Sequence, residues 1–182
     1  MAAGLAHELN NPAAAARRAA AHLRETTEKV QFLLCQLTRT LEHDHLRHLI
    51  SAAQEALEYS VKAPALDHLE RSDRADAIVV WLEAHDVAAA WELAPTFVNA
   101  GMDNVWLEKF VGQLPATSHA DALGWLEARL NLKALLNQVE QSTGRIAELV
   151  KAVKSYSYMD QSPMQEVDIH DGIESTLTML GP

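Results

Sequence analysis

The sequence predicts an all-α protein, a long antiparallel helical hairpin that forms a dimeric four-helix bundle, with a small helical insert at the distal end. Three observations predict it. The 182 residues hold only 7 Gly and 6 Pro among abundant Ala, Leu, Glu and Gln, too few to punctuate many short strands. Near the N-terminus, small and apolar residues recur in alternating steps of three and four, the spacing of a heptad seam. The same alternation returns in the last third of the chain.

The first helix is expected from Ala2 to about Glu42. Its seam reads Ala13, Ala16, Ala20, Leu23, Thr27, Val30, Leu34, Leu37 and Leu41. Such a helix would be about 60 Å long, and alone it cannot bury that seam. From His43 to Val61 the pattern changes phase, through Leu46, Leu49 or Ile50, Ala53 and Leu57, and Pro64 ends it. Ser72 and Asp73 offer a cap for a helix reaching about His85. A second short helix is expected over Ala88 to Ala100, closed by Gly101, and a third from Asp103 to near Gly112. All four tryptophans lie in or beside this region, which reads as a compact insert with its own core. The last long helix is expected from about His119 to Tyr158, after caps at Thr117 and Ser118, with the seam Leu132, Leu136, Val139, Thr143, Ile146, Val150 and Val153. Met159 to Gln165 reads as a linker, Gln165 to Val167 as a short strand, and Ile169 to Leu180 as a helix capped by Asp168. That last helix looks like the opening of a further domain.

Composition removes several function classes. A net charge of −10 disfavours a nucleic-acid binder, which needs clustered Lys and Arg. There is no apolar run of about 18 residues, so no membrane segment is expected. His7 and Glu8 interrupt the Ala-rich start, which does not fit a signal peptide. The single cysteine, Cys35, cannot form an internal disulfide or a multi-cysteine zinc site, and the expected compartment is the reducing cytoplasm.

The sharpest local feature is His7-Glu8-Leu9-Asn10-Asn11-Pro12. On a helix, His7 lies about 160° from Leu5 and Leu9, so it points away from the seam. Asn11, Ala14, Ala15, Arg18 and His22 continue its face with small or polar residues. Pro12 breaks the hydrogen-bond ladder and should bend the helix. A zinc-protease reading needs a second histidine at position 11, which is Asn. An exposed histidine without a role is the bland alternative. A phosphoacceptor is the third: neutral imidazole is a competent nucleophile near pH 7, and an adjacent carboxylate can orient it and take its proton.

The stretch Gly4-Leu5-Ala6-His7-Glu8-Leu9-Asn10-Asn11-Pro12 resembles the H-box of bacterial two-component sensor histidine kinases. Arg145-Ile146-Ala147-Glu148-Leu149-Val150 through Tyr156, then Val167-Asp168-Ile169-His170-Asp171-Gly172-Ile173, looks like that family's second bundle helix leading into its ATP-binding domain. The resemblance covers about Ala2 to Glu42 and Leu126 to Leu180. It implies a dimerisation and phosphotransfer hairpin over residues 1–42 and 119–158, an insert over 43–118, and a linker with the start of an ATP-binding domain over 159–182. It implies that His7 accepts a phosphoryl group from ATP and passes it to an aspartate of a response regulator receiver domain. Glu8 would be the general base and Asn11 would orient water for dephosphorylating the regulator. Pro12 would provide the helix bend, and Ala14, Ala15, Arg18 and His22 would help dock the regulator. The partners implied are a second copy, the receiver domain and the protein's own ATP-binding domain. The family's ATP-binding motifs are not in this sequence, so no cofactor is expected here. ATP and Mg belong to the full-length kinase, and this piece should not be active alone.

The family's short interhelical turn is replaced by the insert, for which no motif is found. Two other readings remain beside phosphotransfer: a structural coiled-coil oligomer with a helical binding insert, and a monomeric histidine-phosphotransfer relay. His43, Asp44, His45 and His48 read as solvated residues at a helix break rather than metal ligands. Lys151 and Lys154 fit a helix C-terminal end, and Cys35, beside Leu34, is expected to be buried.

Overall fold

The computed structural model describes residues 2–60, 66–159 and 169–180. Among them every regular element is helical: α1 (Ala2–Thr40), α2 (His43–Ser60), α3 (His68–Ala84), α4 (Ala90–Asn99), α5 (Asn104–Val111), a 3₁₀ turn (Ala116–Ser118), α6 (His119–Met159) and α7 (Ile169–Leu180). The all-α expectation holds. The expected linker, short strand and Asp168 cap lie outside the described residues, as does Pro64.

Local chemistry explains most boundaries. The first helix does not run on through the phase change. It stops at Thr40, and α2 restarts at His43 and buries Leu49 rather than Ile50. The cap of α3 is Asp67, not Ser72 or Asp73. Its carboxylate accepts from the Glu70 N–H at 2.8 Å, and Glu70 reaches back to the Asp67 N–H, a complete capping box. Asp103 caps α5 by accepting from the Trp106 N–H at 2.9 Å. Two helices end in the same motif. After α3, Val87 N–H donates to the Leu82 carbonyl and Asp86 N–H to that of Glu83; after α4, Met102 donates to Phe97 and Gly101 to Val98. The motif needs a left-handed residue. Gly101 supplies it at φ 78°, but after α3 the position is held by Asp86 at φ 57°.

The chain divides into two compact units, Met1–His22 with Leu135–Pro182, and Leu23–Ala134. In the second unit the first turns of α6 are central. Ala122, Leu123, Trp125, Leu126, Glu127, Ala128 and Leu130 are all buried, so the helix is covered on nearly every side. Leu37 of α1, Leu41 just after it, Leu49 and Ala53 of α2, Ile78 and Leu82 of α3, Phe97 of α4 and Leu107 and Phe110 of α5 share one core with it. Lys29 meets Glu127 at 2.8 Å, and Leu33 lies 3.6 Å from where a Cβ would stand on Gly124. Within this unit, residues 29 and 33 of α1 thus meet residues 127 and 124 of α6. The Lys133 ammonium donates to the Leu57 carbonyl and the Ser60 hydroxyl, closing the C-terminal end of α2.

The expected seams need one correction. On α1 the line the chain buries passes through Ala19 and Thr26, whereas Ala13, Ala20 and Thr27 are exposed. On α6 it passes through Leu135, Ser142 and Leu149, whereas Leu136 and Val150 are 48% and 52% exposed. Leu23 and Val30 on α1, and Val139 and Ile146 on α6, are half-buried between the two lines. Each long helix therefore carries an apolar stripe three heptad lines wide, with one outer line uncovered at Ala13, Ala20 and Thr27 on α1, before Leu34 is half-buried and Leu37 and Leu41 buried as expected, and at Leu136, Thr143 and Val150 on α6. Lys151 and Lys154 fall inside α6, which continues to Met159, and Cys35 is exposed rather than buried.

The shared end motif gives opposite expectations at its two left-handed positions. Asp86→Gly should stabilise the fold by about 1 kcal/mol and Gly101→Ala should destabilise it by about as much, read from urea denaturation midpoints.

Candidate functional site

The candidate site lies on α1 in the first unit. His7, Asn11, Arg18 and His22 are exposed, and Ala14 and Ala15 between them are half-buried. Ala19 is 2% exposed and sits about 120° around the helix from His7. The helix thus turns its buried line inward and this small, polar face outward, as the pattern requires. Two alanines in the middle of the face leave its surface low.

Glu8, next in sequence, is half-buried. Among the described residues no hydrogen bond or ion pair joins it to His7. The imidazole and the carboxylate stand on adjacent positions of α1. Pro12 lies inside α1, which continues through it. It has no N–H to give the Glu8 carbonyl, so the ladder is open one turn beyond the histidine. On α6, Arg145 pairs with Glu148 at 3.6 Å.

The residues His43, Asp44, His45 and His48 lie in the first turns of α2. Asp44 is engaged by Arg47 at 3.0 Å. His45 and His48 are half-buried, and among the described residues His45 Nδ1 and His48 Nε2 have no hydrogen-bond partner. No group of three or more metal-ligating side chains occurs among the described residues, and none of their helices is long and apolar enough to cross a membrane.

Three features were not read from the sequence. Glu127 is a carboxylate 6% exposed within the second unit's core, and it accepts from Lys29 of α1 and, at 3.1 Å, from the Thr96 hydroxyl of α4. A small cleft of about 80 Å³ opens between α2 and α5, with Trp106 and Phe110 stacked along one wall. His85, Trp81, Glu108 and His119 gather where α3, α5 and α6 meet. Each of the three joins groups from different helices, a juxtaposition that sequence spacing does not reveal.

No protein-family profile, curated protein or solved structure matches this chain. The functional reading therefore rests on the residues and their placement.

Pro12 has a direct test. Pro12→Ala restores the missing N–H and should raise stability by about 1–3 kcal/mol, with a gain in helical circular dichroism.

Proposed function

We propose that this chain is the phosphoacceptor and dimerisation module of a sensor histidine kinase. The observation that carries the reading is the H-box sequence from Gly4 to Pro12, with His7 exposed on a helix face turned away from the buried line. In the proposed reaction a ring nitrogen of His7 attacks the γ-phosphorus of ATP held by a catalytic domain. The bond to the ADP oxygen breaks, and Glu8 takes the proton from the other ring nitrogen. The phosphoryl group then passes to an aspartate oxygen of a response regulator, the P–N bond breaks, and the imidazole regains its proton. Asn11 orients water for the reverse function, hydrolysis of the regulator's acyl phosphate. Arg18 and His22, with the low surface at Ala14 and Ala15, meet the regulator. The open ladder at Pro12 lets the upper part of α1 bend.

The working form is a homodimer, in which the two long helices of each copy make an antiparallel hairpin and the pair a four-helix bundle. The uncovered lines support this: Ala13, Ala20 and Thr27 on α1, and Leu136, Thr143 and Val150 on α6, are exposed at heptad spacing. The expected compartment is the cytoplasm, where ATP and receiver domains are found.

The test is phosphorylation of the chain by a separately supplied histidine-kinase ATP-binding domain, with His7→Gln as control. Acid-labile label in the wild type and none in the variant is the expected result. No label in either, with the ATP-binding domain shown to be active, would favour a structural coiled-coil scaffold instead.

A further inference from the structure

We propose that the cleft between α2 and α5 binds a small free α-amino acid, of glycine to valine size, and holds both of its charged ends. The cleft is lined by His48, Ser51 and Glu55 of α2 and by Trp106, Lys109 and Phe110 of α5. Positions 48, 51 and 55 are spaced by about one helical turn, as are 106 and 110, so each helix gives the cleft one face. Phe110 is buried and Trp106 half-buried, and their rings stack with centroids 5.6 Å apart. The core thus holds an apolar wall in place, whereas Ser51, Glu55 and Lys109 are exposed.

Glu55 and Lys109 bring opposite charges to one cleft, yet they do not pair with each other. Among the described residues neither side chain has any other ion pair or hydrogen bond. Elsewhere in this unit opposite charges that meet do pair, Lys29 with Glu127 at 2.8 Å and Arg47 with Asp44 at 3.0 Å. A cleft with one unpaired carboxylate and one unpaired ammonium is complementary to a zwitterion. The ligand's ammonium donates to Glu55, and its carboxylate accepts from Lys109. The apolar wall lowers the local dielectric and strengthens both contacts. A simple anion or cation would satisfy one of the two groups and meet repulsion from the other.

Volume narrows the class further. One water needs roughly 10–15 Å³ of such space, so a cleft of about 80 Å³ takes about six non-hydrogen atoms. Glycine, alanine and valine are of that order, whereas aromatic amino acids and peptides are too large. A short aliphatic side chain rests on the wall made by Trp106 and Phe110. The cleft lies wholly within the second unit, so the proposal stands apart from the reading of His7.

Titration of the full chain with L-alanine, followed by NMR, tests this. The readouts are the Trp106 indole N–H resonance, assigned with Trp106→Phe, and the backbone amides of residues 51–55 and 106–110. These resonances should shift saturably, with a dissociation constant of about 1 mM or below. Glu55 and Lys109 are exposed, so Glu55→Gln and Lys109→Gln keep the fold, which circular dichroism checks. Each should weaken alanine binding about tenfold. Propionate and ethylammonium, which carry one charge each, should bind at least about tenfold more weakly than alanine in the wild type. No saturable shift by about 50 mM alanine overturns the proposal. So does unchanged affinity in either variant. Propionate or ethylammonium binding as tightly as alanine also overturns it, and marks a site for a simple ion.

Discussion

An apolar stripe three heptad lines wide cannot be covered by one neighbouring helix. Along α6, the line through Leu135, Ser142 and Leu149 is buried, Val139 and Ile146 are half-buried, and the line through Leu136, Thr143 and Val150 is exposed. The pattern on α1 is the same, with Ala19 and Thr26 buried and Ala13, Ala20 and Thr27 exposed. A two-helix coiled coil needs only two lines per helix; a third is what each helix presents in a bundle of four. This width also explains the placement of the candidate site. The stripe consumes close to half of the α1 circumference, and His7, Asn11, Arg18 and His22 fall on what remains.

In the second unit the constraint is different. The first turns of α6 are buried on nearly every side, and the insert helices form the wall around them. That core must still tie helices of different direction together. It does so with Glu127, which joins Lys29 of α1 and Thr96 of α4 on one buried carboxylate. Removing Lys29 leaves the Glu127 carboxylate buried without its cation, whereas Lys29 itself is 48% exposed. Lys133 extends the same strategy at the end of α2, where its ammonium meets the Leu57 carbonyl.

The fold class and most helix limits were legible because they depend on local signals. Asp103, Gly101 and the 3.5-residue period are such signals, and α4, α5, α6 and α7 begin or end close to where they indicate. The cap of α3 was also legible, since Asp67 and Glu70 have capping-box spacing, but Ser72 and Asp73 offered a competing one. Leu37 and Leu41 are buried as the period indicates, whereas at Ala13, Ala20 and Thr27 on α1 and at Leu136, Thr143 and Val150 on α6 the buried line lies one residue to the side, because period alone does not distinguish the two flanks of a seam. Glu127 gave no warning, since its partners lie 98 and 31 residues away in sequence. For the site, the outward position of His7 followed from the wheel, whereas the missing contact between His7 and Glu8 is a matter of rotamers.

The measurement that tests the stripe most directly is the solution mass by sedimentation equilibrium. The chain weighs 20.1 kDa, and the uncovered lines predict twice that mass for the wild type. Charging the exposed line with Leu136→Glu and Val150→Glu should return it to one chain without loss of helicity. A wild type that sediments as a single chain at all concentrations would contradict the account.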